Sequence, residues 1–416
     1  MISVEEAREY ILQHFQPLEA ESVPLLDALD RVLAEDVISP INVPPHDNSA
    51  MDGYALRAED IRGASADKPI RLRVVADLGA GYMPDTSVEP GTAIRIMTGA
   101  VVPPGADTVV RFEETSEAVN QKATGKGSGV VEILNAPARG ANVRRAGEDI
   151  RKNQVILPKG TTLRPPEIGL LASVGHSQVK VHRRPRVAIL ATGDELVDID
   201  EPLAPGKIRN SNEYSNAAAV IKAGGIPIRL GIARDNLDDL TLKIRQGVDA
   251  GADLFITSAG VSVGDYDIVK DVLNSEGEMR FWQVNMKPGK PLAFGVIGKT
   301  PLLGLPGNPV SAIISFETFA RPAILKMLGK TKYTRPIVQA ILQDRAENTA
   351  GRRNYIRVHV ERDANGEYIA RTTGEQGSGI LTSVTRANGL LEMSPDVLQH
   401  LPGERVQITL LDYSEE

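Results

Sequence analysis

The chain contains no cysteine. Disulfides, thiolate zinc sites, iron–sulfur clusters and cysteine nucleophiles are excluded together. Histidine is scarce. The six, His14, His46, His176, His182, His359 and His400, include no two at i, i+3 or i+4, so their spacing offers no histidine metal site. A bound metal is therefore expected to be a hard cation on oxygen ligands, Mg2+ first. Aromatic residues make up only 4%, too few for a stacking platform along single-stranded nucleic acid. A net charge of −7 argues against general nucleic-acid binding, so an anion has to be met by a local basic cluster. No apolar run approaches the ~18 residues of a membrane span. The acidic start, Met1-Ile2-Ser3-Val4-Glu5-Glu6, lacks the basic and apolar regions of a signal peptide, and a cytoplasmic location is the expectation.

What is present is a globular composition, 42% hydrophobic and 24% charged over 416 residues, enough for about two to four domains. Ser3, with Glu6 three residues on, predicts a capped helix over residues 3–18 with Val4, Ala7, Ile11 and Phe15 on one face. A short helix is predicted over 25–32. From about 45 to 150 the texture changes to short runs (70–75, 92–97, 108–112, 130–134) punctuated by glycine and proline, which predicts an inserted all-β domain. The segments 25–44 and 151–182 are expected to form a linking domain from two separated pieces. The tail, about 330–416, alternates again and carries the hairpin signal Asn365-Gly366, predicting a small β-barrel or sandwich.

Residues 184–328 are the most legible. Strands are predicted at 187–192, 226–232, 254–257, 280–284, 292–296 and 301–305, and helices at 212–223, 237–248, 266–273 and 309–327. Alternation of this kind implies a mostly parallel sheet covered on both faces. Ligands of such sheets bind beyond the carboxyl ends of the strands. The loops there are Thr192-Gly193-Asp194-Glu195, Arg234-Asp235-Asn236, Ser258 to Asp267, Lys287-Pro288-Gly289-Lys290-Pro291 and Leu305-Pro306-Gly307-Asn308-Pro309-Val310-Ser311. Pro306-Gly307 turns the chain, Asn308 can cap, and Pro309 occupies the first helical position, leaving N–H groups for an oxyanion. Lys287 and Lys290 flank a Pro-Gly turn that can aim two ammonium groups at one anion. The small residues Ala259 to Gly264 can lay backbone N–H groups on a phosphate, with Ser262 adding a hydroxyl. Carboxylates crowd such a site only if a cation bridges, with Asp267 the first choice of ligand and Asp235 the second. Singly, each loop also reads as an ordinary capped helix, solvated turn or βα connection; five on one edge are hard to read that way. Gly298-Lys299-Thr300 fails as a P-loop because Ala293 stands where its glycine is needed. Thr124-Gly125-Lys126-Gly127-Ser128 precedes a strand and reads as a hairpin loop.

The set Asn48-Ser49-Ala50-Met51-Asp52-Gly53-Tyr54, Met97-Thr98-Gly99-Ala100, Gly105-Ala106-Asp107-Thr108-Val109-Val110, Gly147-Glu148-Asp149-Ile150, Thr192-Gly193-Asp194-Glu195, Gly260-Val261-Ser262-Val263-Gly264, Lys287-Pro288-Gly289-Lys290-Pro291 and Leu305-Pro306-Gly307-Asn308-Pro309 resembles the molybdopterin molybdenumtransferase family, MoeA type, related to the gephyrin E domain. It departs in Ala259-Gly260, where members often carry Gly-Gly. The resemblance implies a multidomain α/β plus β protein. Its parts would be a central αβα molybdopterin/nucleotide-binding domain (1–24 plus 183–328), a linking domain (25–44 plus 151–182), an inserted β domain (45–150) and a C-terminal β-barrel (329–416). It implies insertion of molybdate into adenylylated molybdopterin with Mg2+, releasing AMP and molybdenum cofactor. It further implies a homodimer, in which the β insertion of one subunit roofs the other's site, and admits a contact with molybdopterin adenylyltransferase. By motif position Asp52, Thr98, Glu195, Asp235, Asp267, Lys287 and Lys290 would be catalytic. Gly193, Asp194, Gly260, Ser262, Gly264, Pro306, Gly307 and Asn308 would contact nucleotide or molybdopterin. Lys287, Lys290, Ser311, Arg352 and Ser378 would address molybdate, and Asp267 and Asp235 the metal. Molybdopterin adenylyltransferase, whose single domain resembles 184–328, and a non-catalytic scaffold of the gephyrin E type are the rival readings.

Overall fold

The computed structural model describes residues 1–120, 129–234, 236–258, 277–349 and 351–411. The chain divides into two compact units. One comprises Met1–Val23, Asp30–Ala34 and Val179–Glu416, and the other Pro24–Leu29 and Glu35–Gln178.

In the first unit the predicted strands build one six-stranded sheet from β1 (Arg186–Thr192), β2 (Ile226–Ala233), β3 (Leu254–Ser258), β4 (Gly277–Gln283), β5 (Pro291–Ile297) and β6 (Thr300–Leu305). Their order is β2-β1-β3-β6-β5-β4. The first four are mutually parallel, β5 is antiparallel to both neighbours, and β4 returns to the common direction. β1 is buried from Val187 to Thr192, as a strand covered on both faces must be. The period of two sorts its side chains. Val187 and Ile189 join a core with Val4, Ala7, Ile11, Phe15 and Phe316, while Ala188 and Leu190 join a core with Leu240, Ile244 and Phe255. The first core is supplied by α1 (Val4–Gln13), α2 (Ser211–Lys222) and the helical path that begins at Pro309; the second by α3 (Leu237–Asp249). Burying each large aliphatic side chain contributes ~1.5–3 kcal/mol.

Three boundaries differ from the sequence expectation. The capping box of Ser3 and Glu6 forms, but α1 stops at Gln13. Pro17 has no N–H to give the Gln13 carbonyl and pushes Gln16 out of the helical region. The helix expected over 25–32 is a single 3-10 turn, Leu25–Ala28, because Leu29 is extended and Asp30 takes φ 63°. The last helix runs as α4 (Pro309–Ser315), a π stretch (Phe316–Ala320) and α5 (Arg321–Met327). The widened turn accommodates Pro322, which cannot donate to Thr318. The helix expected over 266–273 lies outside the described residues, as do 124–128.

The tail is a closed barrel. β7 (Ile337–Leu342), β8 (Arg353–Arg362), β9 (Tyr368–Thr372), β10 (Gly389–Met393) and β11 (Arg405–Leu410) pair in the order β8-β9-β7-β11-β10, and β10 pairs back onto β8. The Asn365-Gly366 hairpin lies between β8 and β9, with Gly366 at φ 82°. A two-residue strand, Met286–Lys287, adds to β8 by pairing with Arg353 and Asn354.

In the second unit the expected β insertion is a five-stranded sheet ordered 108–111, 53–56, 92–96, 70–78 and 130–133. Ile94, Ile96 and Val109 fill one side and Leu72, Val110 and Val131 the other. The separated segments Val37–Ile38 and Val155–Leu157 pair antiparallel in this unit. Among the described residues no helix is long and apolar enough to cross a membrane.

Candidate functional site

Register places the loops. Ala191 lies opposite Ser258, and Ser258 opposite Leu305, so β1, β3 and β6 end in line. Ala293 faces Gly304 and Gln283 faces Pro291, so β4 ends and β5 begins on the same edge. The order β2-β1-β3 makes this the edge where the strand sequence reverses direction, the usual crevice of such sheets.

At the end of β1, Gly193 takes φ 139° and its N–H donates to the Ala233 carbonyl (3.3 Å), tying the turn to β2. A Cβ here would lie 2.3 Å from Glu195 Oε2, so the Glu195 carboxylate folds back over a position that only glycine leaves open. Ile208 N–H donates to the Glu195 carbonyl (2.9 Å) and the Lys207 ammonium to the Asp194 carbonyl. Asp194 and Glu195 are thereby held exposed at the edge. Glu195 forms no ion pair among the described residues and is the kind of hard oxygen donor a divalent cation takes.

The lysine loop is clamped from two sides. Val284 N–H donates to the Lys290 carbonyl (2.8 Å), closing the turn, and Arg353 N–H donates to the Asn285 carbonyl (3.2 Å), tying the loop to β8. Gly289 takes φ 104°, and a Cβ on it would lie 2.7 Å from Ser315 Oγ on α4. The backbone thus lies flat on the helix. Pro288 and Gly289 are buried while Lys287 and Lys290 are half-buried, and neither ammonium has a carboxylate partner among the described residues.

The start of α4 corrects the expected cap. Asn308 makes no side-chain cap bond; its Nδ2 donates to Ser378 Oγ (3.2 Å) instead. Ser378 replaces it through the backbone, its carbonyl accepting from Val310 N–H (3.2 Å). Pro306 is buried, Gly307 is exposed, and Asn212 Nδ2 donates to the Gly307 carbonyl (2.7 Å). Asn212 is carried by α2, which Glu213 anchors. That carboxylate is 1% exposed yet accepts from Asn210 Nδ2 (2.7 Å), Arg229 Nε and Gly231 N–H (both 3.1 Å). Ser311 is buried in the first turn of α4. Arg352 precedes the residue paired with Met286, so the barrel brings it beside the lysine loop with no carboxylate partner among the described residues.

The second unit holds a separate pair. Asp52 Oδ1 accepts from Thr98 N–H (2.7 Å) and Thr98 Oγ1 (2.8 Å), both residues being exposed. These hydrogen bonds, the backbone one first, hold the Asp52 carboxyl below its ordinary pKa.

The structure therefore gathers Gly193, Asp194, Glu195, Lys287, Lys290, Pro306, Gly307, Asn308, Ser311, Arg352 and Ser378 around one sheet edge of the first unit. Asp52 and Thr98 form their own pair in the second. Asp235, Asp267, Gly260, Ser262 and Gly264 lie outside the described residues, and among the described residues no three His, Asp or Glu side chains group as a metal cluster. Sequence reasoning passed over Asn212 and Arg357. The first was hidden in a helix whose polar face looks solvated; the second is a guanidinium within an apolar strand run, a signal that could have been read.

A three-layered sheet with its loops gathered at the switch edge defines a ligand-binding αβα domain, and residues 188–326 match the family described as the probable molybdopterin binding domain. Residues 2–175 match the MoeA N-terminal region (domain I and II) and 339–411 the MoeA C-terminal region (domain IV). A molybdopterin molybdenumtransferase of Nostoc is 41% identical, covering 89% of this chain and 84% of its own, and one of Haemophilus influenzae is 35% identical over 98% of both. A crystal structure of a molybdopterin biosynthesis MoeA protein from Pyrococcus horikoshii superposes with a TM-score of 0.85 at 33% identity, over 100% of both chains. The chain belongs to the molybdopterin molybdenumtransferase (MoeA) family, transferases of molybdenum cofactor biosynthesis.

Proposed function

We propose that the protein inserts molybdate into adenylylated molybdopterin, releasing AMP and molybdenum cofactor, and that the edge of β1, β3 and β6 is where it does so. The observation that carries this reading is the clamped pair Lys287 and Lys290, half-buried and without a carboxylate partner among the described residues, on the sheet edge where α4 also starts, their loop packing through Gly289 onto Ser315 of that helix. Two ammonium groups and a helix N-terminus attract a tetrahedral dianion. Ser311, Arg352 and Ser378 complete its surroundings in this reading. Gly193, Asp194, Gly260, Ser262, Gly264, Pro306, Gly307 and Asn308 lie along the pterin and nucleotide. A chain with no cysteine offers no thiolate to molybdenum, so the sulfur ligands are the substrate's own dithiolene. Mg2+, held by Asp267 and Asp235 with Glu195 at the same edge, would supply charge neutralisation to the pyrophosphate that links pterin and AMP. The proposal includes a homodimer, in which Asp52 and Thr98 of one copy serve the site of the other. It also includes the division into a core domain (1–24 plus 183–328), a linking domain (25–44 plus 151–182), an inserted domain (45–150) and a barrel (329–416).

The test is to mix the purified protein with adenylylated molybdopterin and Mg2+, with and without molybdate. AMP release that requires molybdate, together with cofactor that activates a molybdenum-dependent apoenzyme, is the expected result. Formation of adenylylated product from molybdopterin and ATP would favour the adenylyltransferase reading. Unimpaired cofactor synthesis by a Lys287→Ala, Lys290→Ala variant would favour the scaffold.

A further inference from the structure

Arg321, on α5, and Arg335, between α5 and β7, meet over one carboxylate. Glu317, in the π stretch, accepts from Arg335 Nη2 (2.9 and 3.0 Å) and Nε (3.1 Å), so both of its oxygens are engaged. Arg321 Nε stands 3.8 Å from Glu317 Oε2, beyond hydrogen-bond reach, and Arg321 Nη1 donates to the Tyr333 carbonyl (2.7 Å). All three side chains are largely buried, 16–19% exposed. Two guanidinium groups thus share one negative charge where water screens little. Burial, and after it Arg335, hold the Arg321 pKa below its ordinary value. An excess of buried charge is costly, and a counter-ion relieves it. The three residues open onto two cavities of the first unit. Toward α1, a cavity of about 220 Å³ adds Arg8 and Arg353 to its wall but also Glu5 and Glu392, so the additions cancel. Toward α2, a cavity of about 270 Å³ has no carboxylate besides Glu317 among its described lining residues, and the two arginines alone outnumber it; Lys222 is at the wall as well. The rest of that wall is apolar, with Ala219 from α2, Ile313 from α4, Leu325 from α5, and Val384 and Leu411 from the C-terminal segment.

We infer that the cavity toward α2 binds a small alkyl carboxylate, its head on the guanidinium groups of Arg321 and Arg335 and its chain along the apolar wall. The fixed fork of an arginine matches a carboxylate, and Arg335 Nη1 and Arg321 Nη2 have no acceptor among the described residues. The volume corresponds to about nine water-sized groups at ~30 Å³ each, the size of a medium-length alkyl acid. Apolar walls with a few convergent polar groups are the usual make-up of a small-molecule site. Such binding is independent of the reaction proposed above, because none of the residues gathered at the sheet edge lines this cavity.

The test is calorimetric titration of the full chain with sodium octanoate and, separately, with octylamine, which keeps the alkyl chain and reverses the charge. Octanoate is expected to bind and octylamine not to. Arg321→Gln leaves the Arg335–Glu317 pair and removes only the excess charge; it is expected to weaken octanoate about tenfold, the loss of a charge-assisted hydrogen bond. Ala219→Trp fills the cavity and leaves both arginines in place. It is expected to abolish binding, and it decides the matter should Arg321→Gln not fold. Lys287→Ala is expected to bind octanoate as the native chain does. Equal binding of the two amphiphiles, no binding at all, or native octanoate affinity in Arg321→Gln or Ala219→Trp overturns the inference. A loss in Lys287→Ala would move the carboxylate to the sheet edge and overturn it too. The sequence after Leu411, Asp412-Tyr413-Ser414-Glu415-Glu416, is acidic. Octanoate binding that emerges only in a chain carrying Asp412→Asn, Glu415→Gln and Glu416→Gln would name the chain's own carboxylates as the occupant, and that result likewise overturns the inference.

Discussion

Charge is handled in opposite ways on the second unit and at the sheet edge of the first, although elsewhere in the first unit arginines such as Arg183, Arg229 and Arg335 are paired too. In the second, arginines sit against carboxylates: Arg57 on Glu59 and Asp60, Arg71 on Glu132, Arg95 on Asp77, Arg111 on Glu114, Arg139 on Asp107 and Arg145 on Asp47. At the sheet edge of the first unit, Lys287, Lys290 and Arg352 lie on or beside the pairing of Met286–Lys287 with β8 and meet no carboxylate among the described residues. Behind them Arg357 is buried on neutral oxygens. The chain as a whole is acidic, so unneutralised cations gathered at one place are not an accident of composition. Paired charge maintains a surface, whereas unpaired charge held in place by glycine contacts and strand pairing awaits an anion. The Asp52–Thr98 pair of the second unit is the mirror case, an anion already satisfied by donors.

The comparison breaks most sharply at the lysines. Lys287→Ala or Lys290→Ala is expected to lower molybdate-dependent AMP release by about 10²–10³-fold, the loss typical of one oxyanion donor. Because no ion pair among the described residues is lost, the thermal midpoint should hold or rise, and differential scanning fluorimetry checks this beside the rate. A midpoint drop in proportion to the lost activity would show that the lysines are structural.

Gly289→Ala tests how the lysines are held. The position takes φ 104°, and the new methyl would press on Ser315 Oγ. A strained position of this kind costs about 1–3 kcal/mol. The expected outcome is a lower denaturant midpoint and about tenfold lower kcat/KM for molybdate. Full activity in the alanine variant would mean that the loop does not need the close approach.

Asp52→Asn probes the satisfied anion through pH. Folding lowers the Asp52 pKa, chiefly through the Thr98 N–H, below the ~3.9 of an unperturbed aspartate. A lowered folded-state pKa gives stability that is fully present above that value and is lost as pH falls through the folded one. The gap in thermal midpoint between native and Asp52→Asn protein should therefore be widest near neutrality and close below about pH 4. A constant gap across that range would place the aspartate's contribution in packing rather than charge.

The sequence made the five loops visible because glycine, proline and charged residues interrupt strong apolar runs there, and runs such as 187–192 have few alternatives to a buried strand. Its errors have local physical causes. Pro17 ended α1 early, and Pro322 turned one straight helix into a path with a π stretch. Asn308 in the cap position looked sufficient by itself, because nothing in the local sequence says that Ser378, 70 residues later, offers a competing hydrogen bond. The parallel pairing of Met286–Lys287 onto β8 was equally illegible, since two residues carry no periodicity. Arg357 went unread for a different reason. Arginine in a strand is ordinarily placed on the solvated face, and Arg357 does lie on the face opposite Ile356, Val358 and Val360; what buries it is the segment carrying Gly377 and Ser383, which comes 20 or more residues later.

The smallest expected effect is the most direct control on the contrast between paired and unpaired charge. Arg71 is 76% exposed and contacts Glu132, itself 30% exposed, across two neighbouring strands at 2.8 Å. An exposed pair contributes about 0–1 kcal/mol, because ordering two long side chains offsets most of the screened attraction. Arg71→Ala should therefore change the denaturant midpoint by no more than that, and the change should fade in high salt. Molybdate-dependent activity should be untouched. Removing a surface cation makes an acidic chain more acidic, so long-range attraction of an anionic substrate would fall slightly if net charge were what guided it. An activity loss in Arg71→Ala comparable with that of Lys287→Ala would mean that the field of the whole surface, rather than the clamped cations at the strand ends, governs the anion, and the distinction between paired and unpaired charge would lose its force.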